Sequence, residues 1–181
     1  SNVISFRQLV RRSGVRVEVV PNDREGLLDA RALRDKLTEL GAAARLVAVS
    51  HVPTGNGVVH PVGAVGEVCR QFDAPFLLDA CQSIGQLDLD LNSVHCDALA
   101  GTSRKYLRGP RGQGFLYVKK GGHFWDLEPT FLDVHAAVAD ETAESGYRVR
   151  APSAPRLAIQ AFTVSPRARL RHVGQAGSDA L

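Results

Sequence analysis

The hydrophobic positions along the chain alternate between helical and strand-like spacing. Helical spacing occurs in residues 1–12, 29–40 and 62–72, and Leu33 and Leu37 mark the apolar face of the second segment. The other apolar stretches are short and bounded by polar or turn-forming residues, as in strands; they are residues 15–20, 45–50, 74–78, 96–101 and 114–118. Strands that alternate with helices predict a layered α/β fold with parallel strands.

Composition limits the classes of partner. The 181 residues are enough for one domain with a hydrophobic core, and 44% hydrophobic and 23% charged residues are ordinary values for a globular protein. No apolar run approaches the roughly 18 to 20 residues of a membrane span. The net charge is only +3, and the one basic group, residues 104–111, suits an anionic small molecule better than nucleic acid. We expect neither a membrane nor a nucleic-acid partner.

The cysteine content indicates the cellular compartment, and the absence of methionine leads us to expect a longer parent protein. Cys69, Cys81 and Cys96 show no metal-ligand spacing, and an odd number of cysteines without a signal peptide favours a reducing, cytoplasmic compartment. The chain starts at Ser1 and contains no methionine, so we expect it to be part of a longer protein.

Two ionisable residues follow two of the predicted strands. Asp79 comes directly after one apolar run and Lys105 shortly after the next, 26 positions later (105 minus 79). Ligands collect at the carboxyl ends of parallel strands. An aspartate to hold a pyridinium nitrogen and a lysine to form an imine are the groups that pyridoxal phosphate chemistry requires. The alternatives are a helix N-cap for Asp79 and a solvated surface side chain for Lys105.

Further polar residues lie at the same strand ends. Thr54 and Gln82 could each donate to the phenolic oxygen of the cofactor. The alternatives are that Thr54 caps its turn and that Gln82 is a buried amide with its hydrogen bonds satisfied within the core. Thr102, Ser103 and Arg104 supply the hydroxyls and the guanidinium that suit a phosphate. A nucleotide-binding domain is disfavoured, because no GxGxxG or GxxxxGK[ST] motif follows any predicted strand.

Three stretches together resemble the class-V aminotransferase family of fold-type I pyridoxal phosphate enzymes. They are SHVPTGNGVV (50–59), LLDACQSIGQ (77–86) and GTSRKYLRGPRGQGFLYV (101–118). The resemblance implies an α/β three-layer sandwich with a mainly parallel sheet. Residues 1–150 would form the central part of its cofactor-binding large domain, incomplete at the N-terminus. Residues 151–181, with three prolines and no clean period, diverge and are expected to be an irregular tail.

The resemblance also assigns roles. It implies that Lys105 is the catalytic Schiff-base lysine, Asp79 the pyridinium partner and Gln82 a donor to the phenolic oxygen, with Thr54 beside it. Thr102 and Arg104 would bind the phosphate of pyridoxal 5'-phosphate. Members of the family are homodimers that act on small amino acid substrates, so we expect a homodimer in the full-length parent.

The resemblance can be narrowed to a branch. Cysteine desulfurases usually have Asn in place of Thr54 and His in place of Arg104. RKYLRGPRG (104–112) and LEPTFLDVHAA (127–137) are more similar to the isopenicillin epimerase-like and ergothioneine-pathway C–S lyase branch. We therefore expect C–S lyase or desulfurase-type, or aminotransferase-type, chemistry on an amino acid, with sulfur-containing substrates as candidates. The alternative is a catalytically inactive fragment or interaction module that retains the cofactor-site motifs.

Overall fold

A computed structural model describes residues 2–127, 137–139, 142 and 147–149, so the predicted tail at 151–181 and most of 127–137 lie outside the described residues. The helices are α1 (Asn2–Ser13), α2 (Ala30–Leu40), α3 (Val62–Gln71) and α4 (Leu91–Val94), with a 3₁₀ turn at Gly41–Ala43. The strands are β1 (Val47–Ser50), β2 (Phe76–Asp79), β3 (Ala98–Thr102), β4 (Gly114–Val118), β5 (Ala137–Ala139) and β6 (Tyr147–Val149).

Four strands form the main sheet, in the order β1-β2-β3-β4. β1, β2 and β3 are parallel, and β4 returns antiparallel to β3. The register places Ser50 opposite Asp79 and Asp79 opposite Ala100. Strands β5 and β6 pair with each other in a separate antiparallel ladder. The predicted α/β fold with a mainly parallel sheet is therefore confirmed.

The two faces of the main sheet are covered differently. On one face, Val49, Leu78, Leu99 and Tyr117 lie side by side across the four strands and are buried in one core with α2, α3 and α4. On the other face, Asn2, Ser5 and Phe6 at the start of α1 and residues of β1 to β3 line a cavity of about 300 Å³, while most of the rest of α1 is exposed.

Residues 15–20 do not form the predicted strand. The nearby pairing is an isolated bridge between Asn22 and Leu28, and no ladder in the described part of the chain includes residues 15–20. The alternate side chains Val15, Val17 and Val19 stay 44%, 44% and 80% exposed. An alternating pattern becomes a strand only where a neighbour supplies hydrogen bonds, and here none does. This prediction was wrong.

Other local predictions hold. Asp29 caps α2 by accepting hydrogen bonds from the backbone N–H groups of Arg31 (2.8 Å) and Ala32 (3.3 Å). The short helix α4, capped by Asp90, was not predicted, because four residues are too few to show helical spacing. None of the helices described is long and apolar enough to span a membrane.

Candidate functional site

The polar residues that follow the parallel strands lie at one edge of the sheet. Ser50 ends β1, Asp79 ends β2 and Thr102 ends β3, and the turn that carries Lys105 begins directly after Thr102. Because β1, β2 and β3 run in the same direction, their carboxyl ends face the same side. This is the edge at which ligands bind in open α/β sheets.

The Asp79 carboxylate is held at both oxygens. Its Oδ1 accepts from the backbone N–H of Cys81 (3.0 Å), and its Oδ2 accepts from the Asn2 side-chain amide (2.7 Å). The Ser50 hydroxyl lies 3.5 Å from the same Oδ2. Burial by itself raises the pKa of Asp79, but hydrogen bonds from Cys81 and Asn2 and the positive charge of Lys105 outweigh burial and lower this pKa. Asp79 is therefore ionised at neutral pH, with Lys105 close enough to stabilise its charge.

The loop after Asp79 packs directly against the Lys105 turn. Gly85 has φ +88°, and a Cβ added there would lie 2.8 Å from the backbone carbon and oxygen of Tyr106. Only glycine satisfies both the backbone angle and the close approach. The far side of the turn is tied down by the Ser103 hydroxyl, 2.6 Å from the Pro110 carbonyl oxygen and 3.0 Å from that of Gln113. The position of half-buried Lys105 is thus set from both sides.

The structure brings Thr54 and Gln82 together. The Gln82 side-chain amide donates a hydrogen bond to the Thr54 hydroxyl oxygen at 2.9 Å, across 28 residues of sequence. A hydroxyl that accepts from an amide keeps its own proton free to donate. The pair can therefore present a donor to an acceptor at the sheet edge, as the sequence predicts for a phenolic oxygen.

The two predicted phosphate ligands lie at the sheet edge but do not meet. The Thr102 hydroxyl is 3.4 Å from the Gln113 carbonyl oxygen, and Arg104 is exposed. Among the described residues, neither makes a hydrogen bond or ion pair with another predicted site residue. Arg104 does lie near the site, because its charge acts on the Cys81 thiol together with that of Lys105.

Asn2 and Ser50 were missed by the sequence analysis. Ser50 could have been found, since it ends the strand before Asp79 and the register places the two opposite each other. Nothing in the sequence signals Asn2, which reaches Asp79 across 77 positions.

The cysteines are protonated thiols at neutral pH. Burial raises the pKa of Cys69 and of Cys96 to about 12. Burial and then the neighbouring Asp79 carboxylate raise the pKa of Cys81 to about 11. A thiol is nucleophilic as the thiolate, so none of the three is activated. No cluster of His, Cys, Asp or Glu able to hold a metal ion occurs within the described ranges.

The chemistry of these side chains fits pyridoxal phosphate. An ionised carboxylate matches a pyridinium nitrogen, a half-buried lysine amine matches an aldehyde, the Thr54–Gln82 pair matches a phenolic oxygen and a free guanidinium matches a phosphate.

Comparisons with known proteins show which family the chain resembles. The profile of the family described as aminotransferase class-V matches residues 1–149. A probable cysteine desulfurase of Pyrococcus abyssi is 35% identical over 133 residues, which are 73% of this chain and 32% of that protein. The apo structure of a cysteine desulfurase from Thermococcus onnurineus NA1 shares 30% identity with a TM-score of 0.71, covering 84% of this chain and 36% of the other. A structure of SspA in complex with cysteine shares 28% identity with a TM-score of 0.57, covering 64% and 32%.

These comparisons identify the family of the protein but not a branch within it. The chain spans about a third of the length of the relatives it matches. Two of the three proteins named above carry the name cysteine desulfurase, one of them as probable, so the comparisons support the family and not the narrower epimerase-like and C–S lyase branch that the sequence resembles. Both the profile match over most of the chain and the shared fold lead to the same conclusion: this chain belongs to the class-V aminotransferase family.

Proposed function

We propose that this chain is the cofactor-binding part of a pyridoxal phosphate-dependent enzyme that acts on an amino acid through Lys105. The observation that carries the proposal is the pairing of Asp79 and Lys105. They follow neighbouring parallel strands, their loops pack against each other at Gly85, and the charge of Lys105 stabilises the Asp79 carboxylate. Residues 1–150 would form this part, and a homodimer is the expected state of the parent enzyme.

Each side chain would have one task. When bound, pyridoxal phosphate withdraws electrons from the α-carbon of the amino acid joined to it. The charged Asp79 would keep the ring nitrogen protonated, which sustains that withdrawal. Thr54 and Gln82 would donate to the phenolic oxygen, and Thr102 and Arg104 would bind the phosphate. Lys105 Nζ would attach the cofactor covalently and, once displaced by the substrate, would accept the proton of the α-carbon.

The substrate class follows from two considerations. Relatives reported above are named cysteine desulfurases, and one similar structure is a complex with cysteine, so a sulfur-containing amino acid is the proposed substrate. Burial raises the pKa of Cys69, Cys81 and Cys96, so none of these thiols is activated, and a desulfurase reaction would need a reactive cysteine from another part of the parent protein. We therefore propose C–S lyase or desulfurase-type, or aminotransferase-type, chemistry, of which only the desulfurase reaction requires an acceptor cysteine.

A second candidate function is an inactive fragment or interaction module that retains the site motifs. The observation in its favour is coverage, since the chain corresponds to only 32% of the Pyrococcus abyssi relative. Exposed Arg104, which has no hydrogen-bond or ion-pair partner among the described residues, would then be an isolated phosphate ligand.

One experiment separates the two functions. The purified chain is mixed with pyridoxal phosphate, the absorbance spectrum is recorded, and borohydride reduction is followed by peptide mass spectrometry. We expect a covalent adduct on Lys105 that is absent in Lys105→Ala. Lys120→Ala, which removes an exposed lysine outside the site, is the matched control and should keep the adduct. Labelling spread over several surface lysines, or equal labelling of the wild type and Lys105→Ala, would reject the proposed enzyme function. The inactive fragment would then be the better account of the chain.

A further inference from the structure

Two elements remote from the Asp79 loop converge on one oxygen of Asp79. Asn2, at the start of α1, donates to Oδ2 at 2.7 Å, and the Ser50 hydroxyl at the end of β1 lies 3.5 Å from the same atom. The Asn2 amide also lies 3.4 Å from the Ser50 hydroxyl oxygen, so the three side chains form one cluster. The opposite oxygen is held by the Cys81 backbone N–H.

We propose that Asn2 and Ser50 are positioning residues that fix the orientation of the Asp79 carboxylate and keep it charged for the ring nitrogen of the cofactor. The inference rests on the proposed function and extends it to Asn2, which lies outside the three family-like stretches, and to Ser50, the first residue of SHVPTGNGVV (50–59), to which the resemblance assigns no role.

The geometry shows why orientation matters. A carboxylate tethered at Oδ1 alone can still rotate about its Cβ–Cγ bond, whereas donors on both oxygens remove that rotation. A carboxylate offers about four lone-pair positions. Three are taken by the Cys81 backbone N–H, the Asn2 amide and the Ser50 hydroxyl, and the fourth donor, the weakly bonding Cys81 thiol, is the one that a ring N–H would replace. Asn2 and Ser50 therefore restrict where a ring nitrogen can bind without blocking it.

The surroundings show why the charge needs support. Asp79 borders the cavity of about 300 Å³ beneath α1, whose walls include Phe6, Leu77 and Ala100. Burial next to such walls disfavours the charged form. The groups that act on Asp79 are Lys105 from the following turn, Cys81 from its own loop, and Asn2. Asn2 is the only one of them contributed by α1.

The test compares Asn2→Leu and Ser50→Ala with Gln8→Leu, an equivalent amide-to-leucine change at an exposed position of the same helix. The pKa of Asp79 is measured first, by carbon NMR of its carboxyl group without cofactor. We expect this pKa to rise in Asn2→Leu, to rise less in Ser50→Ala because that contact is longer, and to stay unchanged in Gln8→Leu. Ser50→Thr keeps the hydroxyl and should restore the wild-type value.

A second readout uses the cofactor. With pyridoxal phosphate added, the pH midpoint of the absorbance change should shift in Asn2→Leu relative to Gln8→Leu. An unchanged Asp79 pKa in both Asn2→Leu and Ser50→Ala, with native far-UV circular dichroism, would overturn the proposal. The proposed function and the positioning role of Asn2 and Ser50 can be rejected independently. Absence of a Lys105 adduct in the wild type rejects the proposed function, whereas the pKa of the Asp79 carboxyl group, measured without cofactor, tests only the positioning role.

Discussion

The contact between the Asp79 loop and the Lys105 turn gives the sharpest prediction. In Gly85→Ala, the new Cβ would lie 2.8 Å from the Tyr106 backbone carbon and oxygen, a distance at which atoms must move. Overpacking of this kind costs about 1–3 kcal/mol. The positive φ of +88° adds a strain of about 1–2 kcal/mol for a residue with a Cβ. The free energy of unfolding should therefore fall by about 2–5 kcal/mol in all.

The chain contains a matched control for the strain. Gly112 has nearly the same backbone angle, φ +84°, but a Cβ added there would meet nothing within 4 Å. Gly112→Ala should therefore lose only the strain contribution of about 1–2 kcal/mol. The difference between the two variants, measured by urea unfolding, isolates the close approach. It should amount to about 1–3 kcal/mol.

The same pair of variants tests the link to function. Gly85→Ala should also reduce the borohydride-trapped adduct on Lys105, because the turn that carries the lysine must move away from the Asp79 loop. Gly112→Ala should leave the adduct at the wild-type level. Equal losses of stability in the two variants, or a normal adduct in Gly85→Ala, would show that the contact does not position Lys105.

Three further predictions concern the core, pH and the thiols. Leu78→Ala should lower the free energy of unfolding by about 2–5 kcal/mol in urea denaturation, because Leu78 is fully buried; Leu116→Ala, at a 42% exposed position of β4, should cost far less. Burial and, to a lesser degree, neighbouring His60 lower the pKa of His51. The contribution of neutral His51 to the free energy of unfolding should therefore be complete above the ordinary pKa of 6.5 and be lost as the pH falls through the lowered pKa. His51→Gln should flatten this pH dependence, and a pH profile identical to that of the wild type would contradict the prediction. At pH 8, iodoacetamide should modify native Cys69 and Cys96 far more slowly than the urea-unfolded chain by mass spectrometry, and rapid native modification would refute their raised pKa.

The sequence predicted those parts of the fold that depend on local periodicity. α2 begins after Asp29 as expected, because N-capping is decided within three residues. Strands β1 to β4 were recognised because their apolar runs fill one core. Residues 15–20 show the limit, since alternating valines carry no information about whether a partner strand lies beside them. Their failure to pair is a property of the neighbourhood and not of the segment.

The candidate site was predictable to the extent that its residues end strands. Asp79, Thr102 and, just beyond the strand, Lys105 were placed at one edge by the parallel arrangement alone. The sequence predicted that Thr54 and Gln82 share a target, the phenolic oxygen, but not that they contact each other, because that hydrogen bond depends on how two loops fold. Asn2 could not be found, since its role depends on the first turn of α1 reaching Asp79 at the sheet edge.

The strand order has a consequence for how the site forms during folding. Strands adjacent in the main sheet are also adjacent in sequence, so Asp79 and Lys105 can meet as soon as β2 and β3 pair. The contact of Asn2 with Asp79 closes a loop of 77 residues. Relative to the segment between Asp79 and Lys105, closing that longer loop costs about 1 kcal/mol more in chain entropy. We therefore expect the site to assemble in two stages, in which Asp79 and Lys105 come together first and the hydrogen bond from Asn2 to Asp79 forms last. That hydrogen bond should also be the contact that thermal opening breaks most easily.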